Sequence, residues 1–204
     1  MGRVAIVNTG LCNLDSIARA IEECGSSPTV TDEPSDLGQA SHIVLPGVGA
    51  FPEAMRRLRA RGLVDEMTEQ VIGKQIPFLG VCLGMQLMGT VGMESEETQG
   101  LAWIDGSVTP LDPTGGDRVP HIGWNSVELV RETPLFRDID PKRDFYFVHS
   151  YALRPSLAET VTAVTSYAGS FVSAISTGNM HGVQFHPEKS QQAGFAVLRN
   201  FLAL

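Results

Sequence analysis

Apolar positions in the first half of the chain follow two alternating rhythms. Arg3-Val4-Ala5-Ile6-Val7 is a short, nearly unbroken apolar run, the pattern of a strand buried on both faces of a parallel sheet. Leu14, Ile17, Ala18 and Ile21 then recur at helical spacing, with Asn13 or Asp15 able to cap the segment and Gly25 to end it. Pro28-Thr29-Val30-Thr31 and His42-Ile43-Val44-Leu45 predict two further strands. Pro52 sits where a helix begins, and Met55, Leu58, Leu63, Val64 and Met67 predict one or two helices around Gly62. Pro77 to Val81 reads as another buried strand, ending at Cys82. Strand and helix in this alternation predict a parallel sheet with helices on both faces.

Past about residue 100 the texture changes. Val127 to Val130, Phe145 to Val148, Val161 to Val164, Phe171 to Ile175 and Gly182 to Phe185 read as strands with few helices between them. Tyr167-Ala168-Gly169-Ser170 is a turn signal between two of them, so part of the sheet should be antiparallel. The segment from Gln191 to Leu204 spaces Phe195, Leu198, Phe201 and Leu202 as a closing amphipathic helix. The Asp112 to Asp117 stretch reads as a surface loop inside one domain spanning 1–204, and the chain has neither internal repeats nor low-complexity linkers.

Composition narrows the function classes. The chain has 204 residues, 43% of them hydrophobic, enough for a substantial core. A formal net charge of −8 argues against a nucleic-acid partner. The one dense basic cluster, Arg56, Arg57, Arg59 and Arg61, reads as the solvated face of a helix. Three separated thiols, Cys12, Cys24 and Cys82, form no metal pattern and leave one over from any disulfide, which fits a reducing compartment. The N-terminus begins a strand rather than a signal peptide, and Ile6 stands where myristoylation wants Ser or Thr. Gln75 to Met93 carries no charge and contains a GxxxG, so a membrane span has to be weighed. Pro77, Gln86 and glycines at 80, 84, 89 and 92 fit a strand, a turn and a short helix better. The expected protein is soluble and cytoplasmic, without a membrane partner.

Gly80-Val81-Cys82-Leu83-Gly84 fits a nucleophile elbow with Cys in place of Ser. A sharp turn from strand to helix strains the central residue and needs small neighbours two positions away. It would also set the sulfur at a helix start, where free N–H groups favour a thiolate. The N–H of Leu83 would point to where a tetrahedral oxyanion forms. The plain alternative is a buried core cysteine.

Such a thiolate needs a proton donor for the leaving amine. Among five histidines, His186 in Gln184-Phe185-His186-Pro187-Glu188 follows a strand at its C-terminal end, where sites in open α/β sheets form. In extended backbone, Glu188 shares a side with His186 and can accept from one imidazole nitrogen, leaving the other for the sulfur. Taken alone, such a pair is more often structural. Pro46 to Phe51 is a Gly-rich loop that fits neither a dinucleotide fingerprint nor a P-loop. It either offers a second oxyanion N–H or is a plain tight turn.

Together these segments resemble the class I glutamine amidotransferases with a Cys–His–Glu triad. PGVGAF (46–51), GVCLGMQL (80–87), PHIGWNSV (120–127), FVHSYA (147–152) and GVQFHPEKS (182–190) carry the likeness to the glutaminase subunits of imidazole glycerol phosphate synthase. The resemblance implies a three-layer α/β fold with a mixed, mostly parallel sheet flanked by helices, plus antiparallel strands in the second half. It implies Cys82 as nucleophile, His186 as acid/base and Glu188 as its orienter. The backbone of Leu83, Val48 and Gly49 would form the oxyanion hole, and Gln86, Ser150 and Tyr151 would contact glutamine. Asn13, Trp124 and Lys189 match positions facing a (β/α)₈ cyclase subunit. The implied heterodimer passes ammonia to that cyclase, which makes imidazole glycerol phosphate and AICAR in histidine biosynthesis. No metal or other cofactor is implied. Val7 to Cys12 departs from the family's usual Asp-Tyr-Gly before Asn13, and 89–94 is longer than usual, so Glu94, Glu96 and Glu97 receive no pocket role.

Three rivals remain at this point. A glutaminase serving an anthranilate or aminodeoxychorismate synthase lacks a reason for PHIGWN. A cysteine-elbow hydrolase of peptidase-like or glyoxalase-like kind often places His directly after the nucleophile, where this chain has Leu83. A regulatory binding module on the same fold would not need an intact Cys–His–Glu set.

Overall fold

The computed structural model describes residues 2–11, 14–113, 116–140 and 143–204. The first half runs β1 (Arg3–Val7), α1 (Asp15–Glu23), β2 (Ser27–Thr31), α2 (Pro34–Leu37), β3 (His42–Gly47), α3 (Phe51–Ala60), α4 (Leu63–Thr68), β4 (Phe78–Cys82) and α5 (Leu83–Leu87). The second half runs β5 (Gly89–Gly92), β6 (Thr98–Gln99), β7 (Ile104–Pro110), β8 (His121–Ser126), β9 (Glu128–Leu129), β10 (Asp144–His149) and β11 (Tyr151–Pro155). It closes with β12 (Val161–Thr165), β13 (Phe171–Thr177), β14 (Met180–Val183) and α6 (Gln191–Leu202).

The main sheet has the order β2-β1-β3-β4-β14-β13-β12-β9. From β2 through β14 its pairs are parallel, and from β14 to β9 they are antiparallel. Alternate residues of each central strand feed opposite layers, as a two-residue side-chain period demands. Val4 and Ile6 pack with α1 and α6 through Ile17, Ile21, Val197 and Phe201. Ala5 and Val7 face the other layer, with Phe51, Met55, Leu58 and Met67 of α3 and α4. This is the mixed, helix-flanked sheet that the sequence pattern predicts.

Two small sheets were not legible in that pattern. One has the order β11-β7-β5-β6, and the other is the ribbon β10-β8. Strands β7 (IDGSVTP) and β8 (HIGWNS) alternate buried with exposed positions, so they present no apolar run. His121 opens β8. The expected strand over 182–185 stops at Val183, where the backbone bends at Gln184 and Phe185. The expected strand over 127–130 shrinks to β9.

The uncharged stretch from Gln75 divides into β4, the five-residue α5 and β5. Among the described residues, no helix is long and apolar enough to cross a membrane. The arginine cluster is solvated only in part. Arg56 and Arg57 clasp Glu53, whereas Arg57 and Arg61 donate to the Thr9 and Gly10 carbonyls and Arg59 to that of Gln99. Arg57 and Arg61 thus strap the loop after β1 to the C-terminal end of α3.

Candidate active site

Cys82 closes β4 and precedes α5, with φ 53° and ψ −110°. A non-glycine residue there stores roughly 1–3 kcal/mol of strain and persists only where its surroundings hold it. The flanking glycines are required by close approach. A Cβ on Gly84 would lie 1.7 Å from the Leu45 carbonyl oxygen on β3, and one on Gly80 would lie 2.7 Å from the Gly84 oxygen. Sheet and helix therefore touch backbone to backbone, and the thiol stands at the corner. Its side chain lies almost wholly inside, 5 % exposed.

His186 follows the bend after β14, its N–H donating to the Tyr146 carbonyl at 2.9 Å. Its Nδ1 lies 2.8 Å from Glu188 Oε1. The pair meets as expected, but by a different route. Residues Pro187–Lys189 form a 3₁₀ turn, so Glu188 folds back under the imidazole instead of lying beside it on extended backbone. Proline at the first turn position sets that bend, and Ser190 Oγ donating to the His186 carbonyl at 2.6 Å holds it. The other imidazole nitrogen, Nε2, is buried without a hydrogen-bond partner. Burial pushes the His186 pKa down, but Cys82 and Glu188 outweigh it and raise it to about 10. Its place between a sulfur and a carboxylate thus favours the protonated imidazole.

A cavity of about 400 Å³ opens on the sulfur. It is lined by the backbone loop Val48-Gly49-Ala50, by Leu83 and Gln86 of α5, and by Val148 to Tyr151, where β10 passes into β11. The oxyanion candidates Val48, Gly49 and Leu83 and the substrate candidates Gln86, Ser150 and Tyr151 thus share one pocket with Cys82. Glu94, left without a role at sequence level, is the one carboxylate among these lining residues. Its Oε2 accepts from the Phe51 N–H at 2.7 Å, capping α3. That contact spans 43 positions, and only the packing of β5 against α3 could reveal it.

His149 also borders the sulfur, yet both its nitrogens are engaged. Nδ1 meets the Tyr151 carbonyl at 2.9 Å and Nε2 meets His121 Nδ1 at 3.2 Å. Since a carbonyl can only accept, Nδ1 carries a proton. Burial lowers its pKa to about 4, and the same cause lowers His181 to about 4. In the unfolded chain both titrate near 6.5, so below that value the unfolded state binds more protons. Their stabilisation is complete above that range and is lost as pH falls toward 4. Between about pH 6.5 and about pH 5, urea unfolding should lose about 3 kcal/mol from these two groups. His186, with its raised pKa, is protonated in both states at the acid end of that window. A flat unfolding free energy across it would refute the buried neutral histidines.

Trp124, 47 % exposed, and Lys189 come together on one face. Tyr146 joins them, its ring 5.9 Å from that of Trp124 and 5.8 Å from the Lys189 ammonium. Asn13, the third interface candidate, lies outside the described residues. A second cavity of about 320 Å³ lies behind the triad, bordered by Ser16, Val48, His186, Glu188 and Lys189.

A model of the family "Glutamine amidotransferase class-I" matches residues 5–204. An imidazole glycerol phosphate synthase subunit HisH from Moorella thermoacetica is 44% identical over 98% of this chain and 94% of its own. A HisH 1 subunit from Campylobacter jejuni (strain RM1221) is 39% identical over 98% of this chain and 100% of its own. The crystal structure of a glutamine amidotransferase from Thermotoga maritima superposes with a TM-score of 0.70 at 20% identity, covering 98% of this chain and 96% of that one. At that identity it supports the fold alone.

Proposed function

We propose that this chain, which belongs to the class-I glutamine amidotransferase family, hydrolyses glutamine to glutamate and ammonia for a cyclase subunit of imidazole glycerol phosphate synthase. One observation carries the reading. A strained Cys82 faces a pocket while His186, braced by Glu188, offers it an otherwise unpartnered Nε2.

The Cys82 thiolate attacks the side-chain amide carbon of glutamine, and the carbonyl electron pair moves to oxygen. The N–H of Leu83 and the Val48-Gly49 backbone receive that oxyanion. Collapse of the intermediate breaks the C–N bond, and His186 gives its proton to the departing nitrogen as ammonia leaves. Now neutral, His186 takes a proton from water, whose oxygen attacks the glutamyl thioester. Glutamate leaves, the thiolate returns and the imidazolium is restored. Proton transfers of this kind are worth about 10²–10⁴ in rate.

Substrate recognition follows from the charges on an amino acid. The Glu94 carboxylate and the Gln86 oxygen provide acceptors for the α-ammonium group. Ser150 and the backbone around Tyr151 serve the α-carboxylate. Trp124, Tyr146 and Lys189 form the face offered to the cyclase in a cytoplasmic heterodimer of the histidine pathway.

Glutamate release should be low for the chain alone and rise strongly when the cyclase is added with its nucleotide substrate. Strong release that ignores the cyclase would keep the chemistry and remove this partner. Silence in both conditions would overturn the glutaminase reading.

A further inference from the structure

Gln184 has no step in the reaction above, yet its side chain touches the nucleophile. It is wholly buried, at 0 % exposure, and its Nε2 lies 3.6 Å from Cys82 Sγ. Its Oε1 accepts from Gln86 Nε2 at 3.0 Å, and the same Gln86 nitrogen donates to the Tyr151 carbonyl at 2.8 Å. That carbonyl sets the direction of the whole relay. It can only accept, so Gln86 must turn its NH₂ toward Tyr151 and Gln184. Gln184 must then show its oxygen to Gln86 and its NH₂ to the sulfur. A side chain that merely filled space at this depth would be apolar, because a buried amide is costly unless both ends are paired.

Resting on the reading of Cys82 as nucleophile, we infer that Gln184 is a further catalytic residue. Its oriented N–H donates to the sulfur, favours thiolate over thiol and holds the sulfur in place, while Gln86 and the Tyr151 carbonyl position it. Donation to a charged acceptor is stronger than to a neutral one, so the contact favours the ionised form. The thiol's own outlet is poor, since the Val148 carbonyl lies 3.9 Å from the sulfur. The titratable groups around the sulfur are His186, with Glu188 behind it, His149 on β10 and Glu94 across the pocket. Gln86 leaves its own oxygen to the pocket, so the relay runs from the substrate's side to the sulfur.

The test is alkylation of the full chain by iodoacetamide near neutral pH, read site by site by mass spectrometry. Cys24, free and half-buried, is the reference within the same molecule. Gln184→Met keeps the length and loses the amide. Gln184→Glu keeps the acceptor toward Gln86 and replaces the donor with oxygen. Cys82 alkylation should slow about tenfold in the first and further in the second, with Cys24 unchanged. The deficit should close as pH rises, because the thiolate then forms without a donor. Glutamine turnover should fall by a similar factor, with KM moving less than about threefold.

Wild-type alkylation at Cys82 in both variants, with Cys24 unchanged, would overturn the inference and leave Gln184 as packing. Should a variant unfold, Cys24 would accelerate, and Gln86→Met would decide instead. It frees Gln184 to turn and should slow Cys82, and no slowing there would equally overturn the inference. Failure of the glutaminase reading looks different. The wild-type chain would release no glutamate, while the Gln184 contrast in alkylation would persist.

Discussion

Replacing Cys82 with alanine should abolish glutamate release while leaving the fold intact. The substitution keeps a Cβ at φ 53° and removes one buried sulfur, whose contacts to Gln184 and Val148 are long and whose neighbour His186 keeps its Glu188 partner. Stability should therefore change little. The reaction, by contrast, loses the atom that forms the thioester, and no other side chain in the pocket can replace it. His149, the imidazole lining the same pocket, has both nitrogens committed. Turnover should drop by about 10⁴-fold or more, the residual rate coming from binding and the oxyanion donors. Steady-state glutamate release by the chain with its cyclase measures this. A variant within tenfold of wild type would place the chemistry elsewhere.

Gly84→Ala should be severely destabilising, its Cβ meeting backbone more closely than at any other described glycine with a recorded contact. Its Cβ would fall 1.7 Å from the Leu45 oxygen and 2.8 Å from the Leu45 carbon, both backbone atoms of β3. Relief requires α5 to lift away from β3 or the β3–β4 ladder to part, where Leu45 pairs with Gly80. Either movement opens the layer packed around Leu83, Met85 and Leu87. A cost of roughly 4 kcal/mol or more is expected, enough to lower the melting temperature by about 10 °C. Any folded remainder should also lose activity, because the elbow that aims the sulfur has shifted. Thermal unfolding checks this, and a melting temperature within two degrees or so of wild type would contradict the account.

What was legible in the sequence was local. Gly80, Cys82 and Gly84 lie within one turn of chain, so their types alone imply a sharp corner. His186 and Glu188 are two residues apart, and their pairing survives even though the backbone between them is a 3₁₀ turn rather than a strand. The buried strands of the main sheet announce themselves as apolar runs because both their faces are covered. Strands β7 and β8 do not, since one face of each meets water.

Gln184, Glu94 and Tyr146, which act across the fold, could not be read in advance. Gln184 lies 102 positions from Cys82 and 98 from Gln86, and the meeting depends on β14 pairing beside β4. Glu94 reaches the pocket through a small sheet whose strands are too short and too polar to predict. Tyr146 stands between Trp124 and Lys189 only because β10 pairs with β8 in a register that sets Tyr146 opposite Trp124. Pairing of this kind is a tertiary choice, and single-chain periodicity carries no record of it.

The central claim is that Cys82 carries the glutamyl group during turnover. Acid quenching of the chain and its cyclase during steady-state reaction with glutamine, followed by peptide mass spectrometry, tests it most directly. The account predicts a glutamyl thioester on the peptide containing Cys82, lost on treatment with hydroxylamine. Glutamate formation at full rate with that peptide unmodified, and with no adduct after His186 is replaced to slow hydrolysis, would contradict it.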